Sequence, residues 1–206
     1  MVSDMITHPA PELLSYEDAV ARLGDSLRFE WDWLYDTIPL LDGDVVVEGD
    51  FLKAVTGIVE QEFDGVHITG NLTVNGPIAL YETRPTLSVR GTTRAETLEG
   101  GDAEIYINGG VFTYLVYGYY NDGVLDTGAI DTPWVINSDH DLRVTAPGAR
   151  HIDNFHFRGY LNDADIDFTT DEIADAFVPE VVSRERDAVD VHKFLERLRA
   201  GLPVLK

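Results

Sequence analysis

The chain has 206 residues, the length of one ordinary domain, and its apolar fraction of 44% excludes an intrinsically disordered protein. Its 37 acidic and 15 basic residues give a formal net charge of −22, which repels nucleic acid and anionic membranes and attracts basic partners. Solubility or adaptation to salt would explain the same charge without a partner. With no cysteine, secretion signal or membrane-length apolar run in the sequence, we expect a cytoplasmic protein without a cofactor.

The N-terminal residues 1–41 are predicted to form a cap. Residues 1–14 are polar, contain two prolines and predict an arm. Ser15 is placed to cap the free N–H groups of a short helix, and Asp18 occupies the reciprocal position of a capping box. Gly24 is predicted to end this helix.

An aromatic stretch follows the predicted helix. Within residues 27–41, the alternation of Phe29, Trp31 and Trp33 predicts a strand with one aromatic face. We expect this face to cover the first turn of the fold that follows, because an open end would expose unpaired backbone groups and apolar side chains.

A short phrase recurs through residues 42–146: an apolar residue, any residue, an apolar residue, any residue and a glycine. The copies are residues 45–49, 66–70, 87–91, 105–109 and a degraded copy at 124–128. Successive glycines lie 21, 21, 18 and 19 residues apart. A period near 20 with one strand in each repeat is typical of a solenoid, in which the two apolar side chains point inward and the glycine permits a tight corner.

The fold class that follows is mainly β, a single-stack right-handed parallel β-solenoid with short helical caps at its N- and C-terminal ends. Right-handedness is expected because the six-residue repeat of left-handed solenoids is missing. A β-sandwich is the alternative, since alternation alone does not distinguish the two. The apolar stretches between the phrases predict the other faces of each coil: residues 51–59, 72–80, 95–98 and 111–120.

Residues 147–206 differ from the repeats and predict helices. Residues 163–167 are expected to be an acidic loop or strand edge, and residues 170–177 a short capped helix. Residues 187–200 predict an amphipathic helix that packs on the solenoid or beside its last turn, with its apolar stripe at helical spacing. The stripe consists of Val191, Phe194, Leu195 and Leu198.

The candidate binding surface is a corner rich in tyrosine and acid, because exposed tyrosine offers large contact area at little entropic cost. The predicted protein-binding residues are Tyr117, Tyr119, Asp122, Asp126, Asp139 and Asp141. The tyrosines are equally compatible with a ladder that stabilises the coil. Asp126 stands where other phrases carry Val or Ile, so either the repeat shifts register there or a carboxylate is placed for function.

Histidine provides few catalytic candidates. His140 stands between Asp139 and Asp141, a sequence that fits a metal site or a general base only in a loop, since neighbours on a strand face opposite sides. A polar turn is the competing interpretation, and the one we favour. His67 lies between the two apolar residues of its phrase and is therefore predicted to face solvent. No phosphate-binding loop, dinucleotide fingerprint, nucleophile elbow or zinc-protease helix occurs.

The chain resembles a loosely defined group of bacterial β-solenoid proteins, some of them associated with polymorphic toxin systems. The resemblance is carried by residues 48–51, 69–72, 119–123, 139–140, 177–181 and 195–205. It implies an immunity or interaction protein, and no catalytic residue transfers with it.

Three functions follow as hypotheses. The first is an acidic binding protein, an immunity protein that neutralises a cognate bacterial toxin with a basic surface. The second is a self-assembling structural solenoid, and the third is a hydrolase or lyase with a carboxylate or histidine site near Asp139, His140 and Asp141. For the first we expect a basic protein partner, no nucleic acid, no membrane, and a monomer or dimer.

Overall fold

The structure is a computed structural model that describes residues 5–30, 35–59, 61–82, 84–120, 122–155, 166–183, 185 and 187–206. The helices are α1 (Tyr16–Leu23), α2 (Phe51–Ile58), α3 (Thr170–Ala176) and α4 (Val191–Arg199). The strands are β1 (Met5–Thr7), β2 (Glu12–Ser15), β3 (Thr37–Leu41), β4 (Val45–Glu48), β5 (Gly65–Ile68), β6 (Leu72–Asn75), β7 (Pro77–Leu80), β8 (Thr86–Val89), β9 (Thr93–Gly100), β10 (Glu104–Ile107), β11 (Gly110–Tyr119), β12 (Val124–Asp131), β13 (Trp134–Ser138), β14 (Asp141–Thr145), β15 (Arg150–Asp153), β16 (Val182–Ser183) and β17 (Ala188–Val189).

The predicted mainly β solenoid is confirmed, with about five turns and short helices toward both chain ends. Parallel strands stack into three faces. Face 1 contains β3, β5, β8, β10 and the first halves of β12 and β14. Face 2 contains β4, β6, the first halves of β9 and β11, and the second halves of β12 and β14. Face 3 contains β7, the second halves of β9 and β11, β13 and β15. The right-handed sense stays a prediction.

The interior of the coil is filled by stacked aliphatic side chains. In face 1 one inward column passes through successive strands in register, and all its members are buried. This column consists of Val66, Leu87, Ile105, Leu125 and Leu142. Each buried aliphatic side chain contributes roughly 1.5–3 kcal/mol relative to exposure, which makes the stack the main stabilising element.

The corner glycines act as predicted, by positive φ or by close approach. Gly49 has φ 97°. A Cβ on Gly91 would lie 2.4 Å from the carbonyl oxygen of Gly70, which belongs to the neighbouring turn. The first phrase was assigned to the wrong face, however. Residues 45–49 belong to face 2, and Leu41 of β3 is the residue that pairs with Ile68 in face 1.

The N-terminal residues are not an arm, as predicted, but two edge strands. β1 pairs antiparallel with β4, and β2 pairs antiparallel with β3, so both cover the first turn. The predicted helix is confirmed: the Ser15 hydroxyl accepts from the Asp18 N–H at 3.1 Å, and Gly24 ends α1 with φ 52°. The predicted aromatic strand is not formed at Phe29, which lies in an irregular segment against face 1, while Trp31 and Trp33 lie outside the described residues.

Residues 51–58 were predicted as part of a coil face and form helix α2 instead. The Asp50 carboxylate caps it by accepting the Lys53 N–H at 2.9 Å. Phe51, Ala54 and Val55 are buried, the spacing of a helix that rests one stripe on the core. The other three predicted stretches contain strands of faces 2 and 3.

Both predicted C-terminal helices are present, but α4 begins at Val191 and not at residue 187, because residues 188–189 form strand β17 and Asp190 caps the helix. In α3, the N–H of Thr169 donates to the Glu172 carboxylate at 2.9 Å. Helix α4 buries Phe194 and Leu195 of its predicted stripe against the outer side of face 3. Of the predicted acidic loop, residues 163–165 lie outside the described part of the chain.

Candidate functional site

The end of face 3 presents a cluster of tyrosines, which we call the tyrosine corner: Tyr81, Tyr117, Tyr119 and Tyr120. Tyr81, Tyr119 and Tyr120 are 44%, 44% and 49% exposed, whereas Tyr117 is only 8% exposed. Tyr117 and Tyr119 both point outward because they are two apart on β11, and Gly118 between them faces the interior. The structure therefore places both predicted tyrosines at one surface.

The tyrosine rings contact one another across two turns. The Tyr81 and Tyr119 rings meet edge to face with centroids 6.4 Å apart, and Tyr119 lies 5.9 Å from Tyr117 and 6.2 Å from Tyr120. A groove of about 330 Å³, the tyrosine groove, opens between these rings and helix α4. It is lined by Tyr81, Glu99, Tyr117, Tyr119, Val191, His192 and Leu195.

Glu99 is a buried carboxylate in the wall of the tyrosine groove. It stands beside Tyr117 in the β9–β11 register and is 8% exposed. The Thr97 hydroxyl donates to its Oε1 at 2.6 Å, and the Tyr81 hydroxyl donates to its Oε2. Burial, and then the charge of Glu99, raise the pKa of Tyr81, so the phenol stays protonated and donates.

Sequence reasoning missed Tyr81 and Glu99. The available signal was the repeat itself, since residues one turn apart in adjacent parallel strands become neighbours. Glu99 lies 18 residues before Tyr117 in the chain, and the two are direct partners. A search at the repeat spacing from Tyr117 and Tyr119 would have found the carboxylate.

A row of carboxylates lies beside the tyrosine corner. In each of four successive turns, one carboxylate follows the end of the face 3 strand. We call them the acidic column: Glu82, Asp102, Asp122 and Asp139. Burial raises the pKa of Asp102, and the negative charges of Asp122 and Glu82 raise it further. These three carboxylates therefore interact electrostatically. Within the described residues, none of the four forms an ion pair.

The other two predicted site residues, Asp126 and Asp141, lie on the outer side of face 1. Asp126 pairs with Arg28 at 2.5 Å, and Asp141 pairs with Arg143 at 2.6 Å. The register accounts for Asp126, because it is aligned with Tyr106 and thus faces outward. The repeat has shifted by one residue, which settles the alternative left open by the sequence.

His140 occupies a polar turn and faces the interior of the coil. Its side chain is fully buried, and its Nδ1 donates to the Tyr120 carbonyl at 2.7 Å. Gly118 and Gly123 make room for the ring, since a Cβ on either would approach it within 2.8 Å. Burial lowers the pKa of His140 and keeps it neutral. A ring without access to solvent does not serve as a general base for an external substrate.

His67 was predicted to face solvent, and that prediction is wrong. The side chain is fully buried, with Nδ1 3.0 Å from the Ser88 hydroxyl. It does point outward from the coil, but the N-terminal segment packs over this side of face 1. Burial, with a smaller effect of Arg90, lowers its pKa to about 4.

Comparisons with family models, curated proteins and solved structures find no match to this chain. In the described part of the chain, no helix is long and apolar enough to cross a membrane. The described residues also contain no group of three or more histidine, aspartate or glutamate side chains arranged to hold a metal.

Proposed function

We propose that this protein is a cytoplasmic binding protein that docks a basic protein partner on the tyrosine corner and the acidic column. The observation that carries the proposal is the side-by-side placement of exposed tyrosines and carboxylates that form no ion pair within the described part of the chain. The other two predicted carboxylates, Asp126 and Asp141, lie on the outer side of face 1, where Arg28 and Arg143 offset their charges.

The two features supply different parts of binding. A net charge of −22 steers a basic protein toward the surface and raises the association rate. Tyrosines that become buried in the interface exclude water and slow dissociation, because aromatic anchors dominate interface energies. Neutralisation of a basic toxin is the form of this function that the resemblance to β-solenoid immunity proteins implies. A toxin that acts on nucleic acid carries such a surface to hold phosphates.

The two alternative hypotheses have less support. Self-assembly by strand addition is favoured by long edge strands that continue the parallel stack, whereas the first turn ends in the short antiparallel strands β1 and β2. A hydrolase or lyase at residues 139–141 needs an accessible His140, and its ring is buried.

The test is affinity purification of the tagged protein from its host at low and at high salt, with two charge-matched variants. The corner variant replaces the acidic column by amides: Glu82→Gln, Asp102→Asn, Asp122→Asn and Asp139→Asn. The control variant removes four exposed carboxylates elsewhere: Glu17→Gln, Asp25→Asn, Asp131→Asn and Asp175→Asn. Both variants carry the same net charge, so a difference between them reports position.

We expect one stoichiometric basic protein with the wild type and the control variant, lost at high salt and lost from the corner variant. Equal capture by the two variants would show that only net charge matters and would contradict the proposed surface. Recovery of no basic protein at low salt would contradict the proposed function itself.

A further inference from the structure

We propose that the tyrosine groove is a binding site for one cationic side chain, a lysine ammonium or arginine guanidinium, supplied by a protein partner. This inference rests on the proposed function and names the contact through which the basic partner is held. It follows from three features of the groove: a buried carboxylate, tyrosine rings beside it and apolar side chains of α4 on the opposite wall.

The carboxylate is Glu99. Its two hydrogen bonds come from the neutral hydroxyls of Thr97 and Tyr81, so the negative charge remains without a countercharge. Buried carboxylates are seldom left in this condition, because desolvation of a charge is costly unless an opposite charge compensates it. Among the described residues Glu99 has no cationic partner, whereas Asp64 and Asp126 on face 1 each have an arginine.

The aromatic rings make the same groove suitable for a cation. Tyr81, Tyr117 and Tyr119 line it, and the edge-to-face contact of Tyr81 with Tyr119 places rings on more than one side. A cation within about 6 Å of such a ring is attracted by the quadrupole of the π-system, and the attraction is stronger where water is excluded. A carboxylate beside tyrosine faces therefore selects for an organic cation over a hydrated metal ion.

The groove has room for a long side chain and offers contact to its alkyl part. Its volume of about 330 Å³ is at the lower end for ligand sites, and Val191 and Leu195 of α4 offer apolar contact to an alkyl stem. His192 at the rim is directed to Glu196, with Nε2 3.2 Å from Oε1. The acidic column adjoins the groove and would guide a basic side chain toward it.

The experiment is an NMR titration of the full-length protein, labelled on tyrosine rings, with short blocked peptides. The probes are acetyl-Gly-Arg-Gly-amide, acetyl-Gly-Lys-Gly-amide and the citrulline analogue, which keeps the shape of arginine without its charge. Choline is added as a fourth probe, because it reports a small-molecule cation. The variants are Glu99→Gln, Tyr119→Leu and, as a charge-matched control on exposed α1, Glu17→Gln.

We expect both basic peptides to shift the Tyr81 and Tyr119 ring signals, and the citrulline peptide to leave them unchanged. Glu99→Gln should weaken peptide binding at least tenfold, since it removes the charge from a charge-assisted contact. Tyr119→Leu should weaken it about threefold through loss of one ring, and Glu17→Gln should have no effect. Because Tyr119 is exposed, its variant keeps the test decisive if Glu99→Gln does not fold.

Three results would overturn the inference. One is the lack of ring shifts with either basic peptide up to the solubility limit. The second is equal binding of the citrulline and arginine peptides. The third is tighter binding of choline than of both peptides, which would assign the groove to a free cation. If a basic partner is captured equally well by wild type and Glu99→Gln, the proposed function stands and only the groove inference fails. If peptides bind in the groove and no partner is captured, the groove inference stands and the proposed function fails.

Discussion

The outer sides of face 1 and face 3 are both covered by terminal segments, but by different chemistry. On face 1 the outward side chains are largely polar, and the N-terminal segment meets them with hydrogen bonds and ion pairs. The Tyr35 hydroxyl lies 2.9 Å from the Thr86 hydroxyl, and the Glu30 N–H donates to the Glu104 carboxylate at 2.6 Å. Arg143 links this cover to the last turn by contacting Glu30 at 2.6 Å.

On face 3 the outward side chains of the later turns are apolar, and the C-terminal helices meet them with aromatic rings. The Trp134 and Phe194 rings meet edge to face with centroids 5.1 Å apart, and the centroid of the Phe177 ring lies 6.0 Å from each of them. Over the earlier turns of face 3, Thr97 and Glu99 are still buried, and the tyrosine groove opens where α4 approaches Tyr81 and Tyr119. The comparison teaches that a polar cover offsets its own charges, whereas the boundary of an apolar cover leaves a buried carboxylate without an ion-pair partner among the described residues.

The largest expected effect comes from truncating the apolar cover. Phe194→Ala should lower the free energy of unfolding by about 3–5 kcal/mol, because the ring is fully buried among aromatic side chains. Phe29→Ala is the matched change in the polar cover and should cost at least about 1 kcal/mol less, since its apolar cluster is smaller. Urea unfolding measures both, and equal costs would remove the proposed distinction between the covers.

A substitution at the corner of the coil between face 1 and face 2 sets the scale for rigid packing. Gly91→Ala should destabilise by about 3 kcal/mol, because the added Cβ meets only backbone atoms of the neighbouring turn, at 2.4–2.8 Å. Gly148→Ala is the control, since no atom lies within 4 Å of the added Cβ, and it should stay within about 0.5 kcal/mol of wild type. Similar thermal unfolding of the two variants would contradict the stacking of Gly91 on Gly70.

The buried histidine under the polar cover should make stability depend on pH. The pKa of His67 falls from 6.5 to about 4 on folding, so the unfolded state binds the proton first. Stability is therefore lost as the pH falls from 6.5 to 4, by about 2–3 kcal/mol from this group. His67→Asn should flatten the pH profile of urea unfolding in this window.

The control for this profile is His192→Asn, whose ring is on the surface with a side chain 84% exposed. We expect it to retain the wild-type slope, because the substitution leaves the buried environment of His67 unchanged. A wild-type slope in His67→Asn would show that His67 is not buried in the neutral form.

The smallest expected effect concerns the ion pairs of the polar cover. A double-mutant cycle with Arg28→Ala and Asp126→Ala should give a coupling energy of about 0.5–1 kcal/mol, because both side chains are partly exposed. The coupling should shrink in 1 M salt, where the screening length is about 3 Å. A coupling that is large and independent of salt would mean that this cover is held by its charges.

The predictions from sequence succeeded where the local pattern alone determines the outcome. Ser15 and Asp18 marked the start of α1, and the stripe containing Phe194 identified α4, because capping and helical spacing act within one turn of a helix. Residues 45–49 were placed on the wrong face, since alternation identifies a strand without saying which sheet it joins. Helix α2 was missed although Asp50 and the spacing of its apolar residues offered a signal.

Only part of the candidate site could be predicted from the sequence, for a related reason. Tyr117 and Tyr119 stand out as a local run, whereas Glu99 becomes their neighbour only after one complete turn of the coil. Asp126 and Asp141 were grouped with the tyrosines by closeness in sequence, but strands of different faces carry them apart.

By itself, the amino-acid sequence determined the coil: apolar pairs that stack inward, glycines that permit the corners and a period near 20 residues. These are repeated short-range constraints, and every turn imposes them again. The tertiary structure alone decided which outward side chains become buried, because that depends on terminal segments far away in the chain. The burial of His67 and the groove at Glu99 both arise in this way, from the packing of a cover that no local pattern specifies.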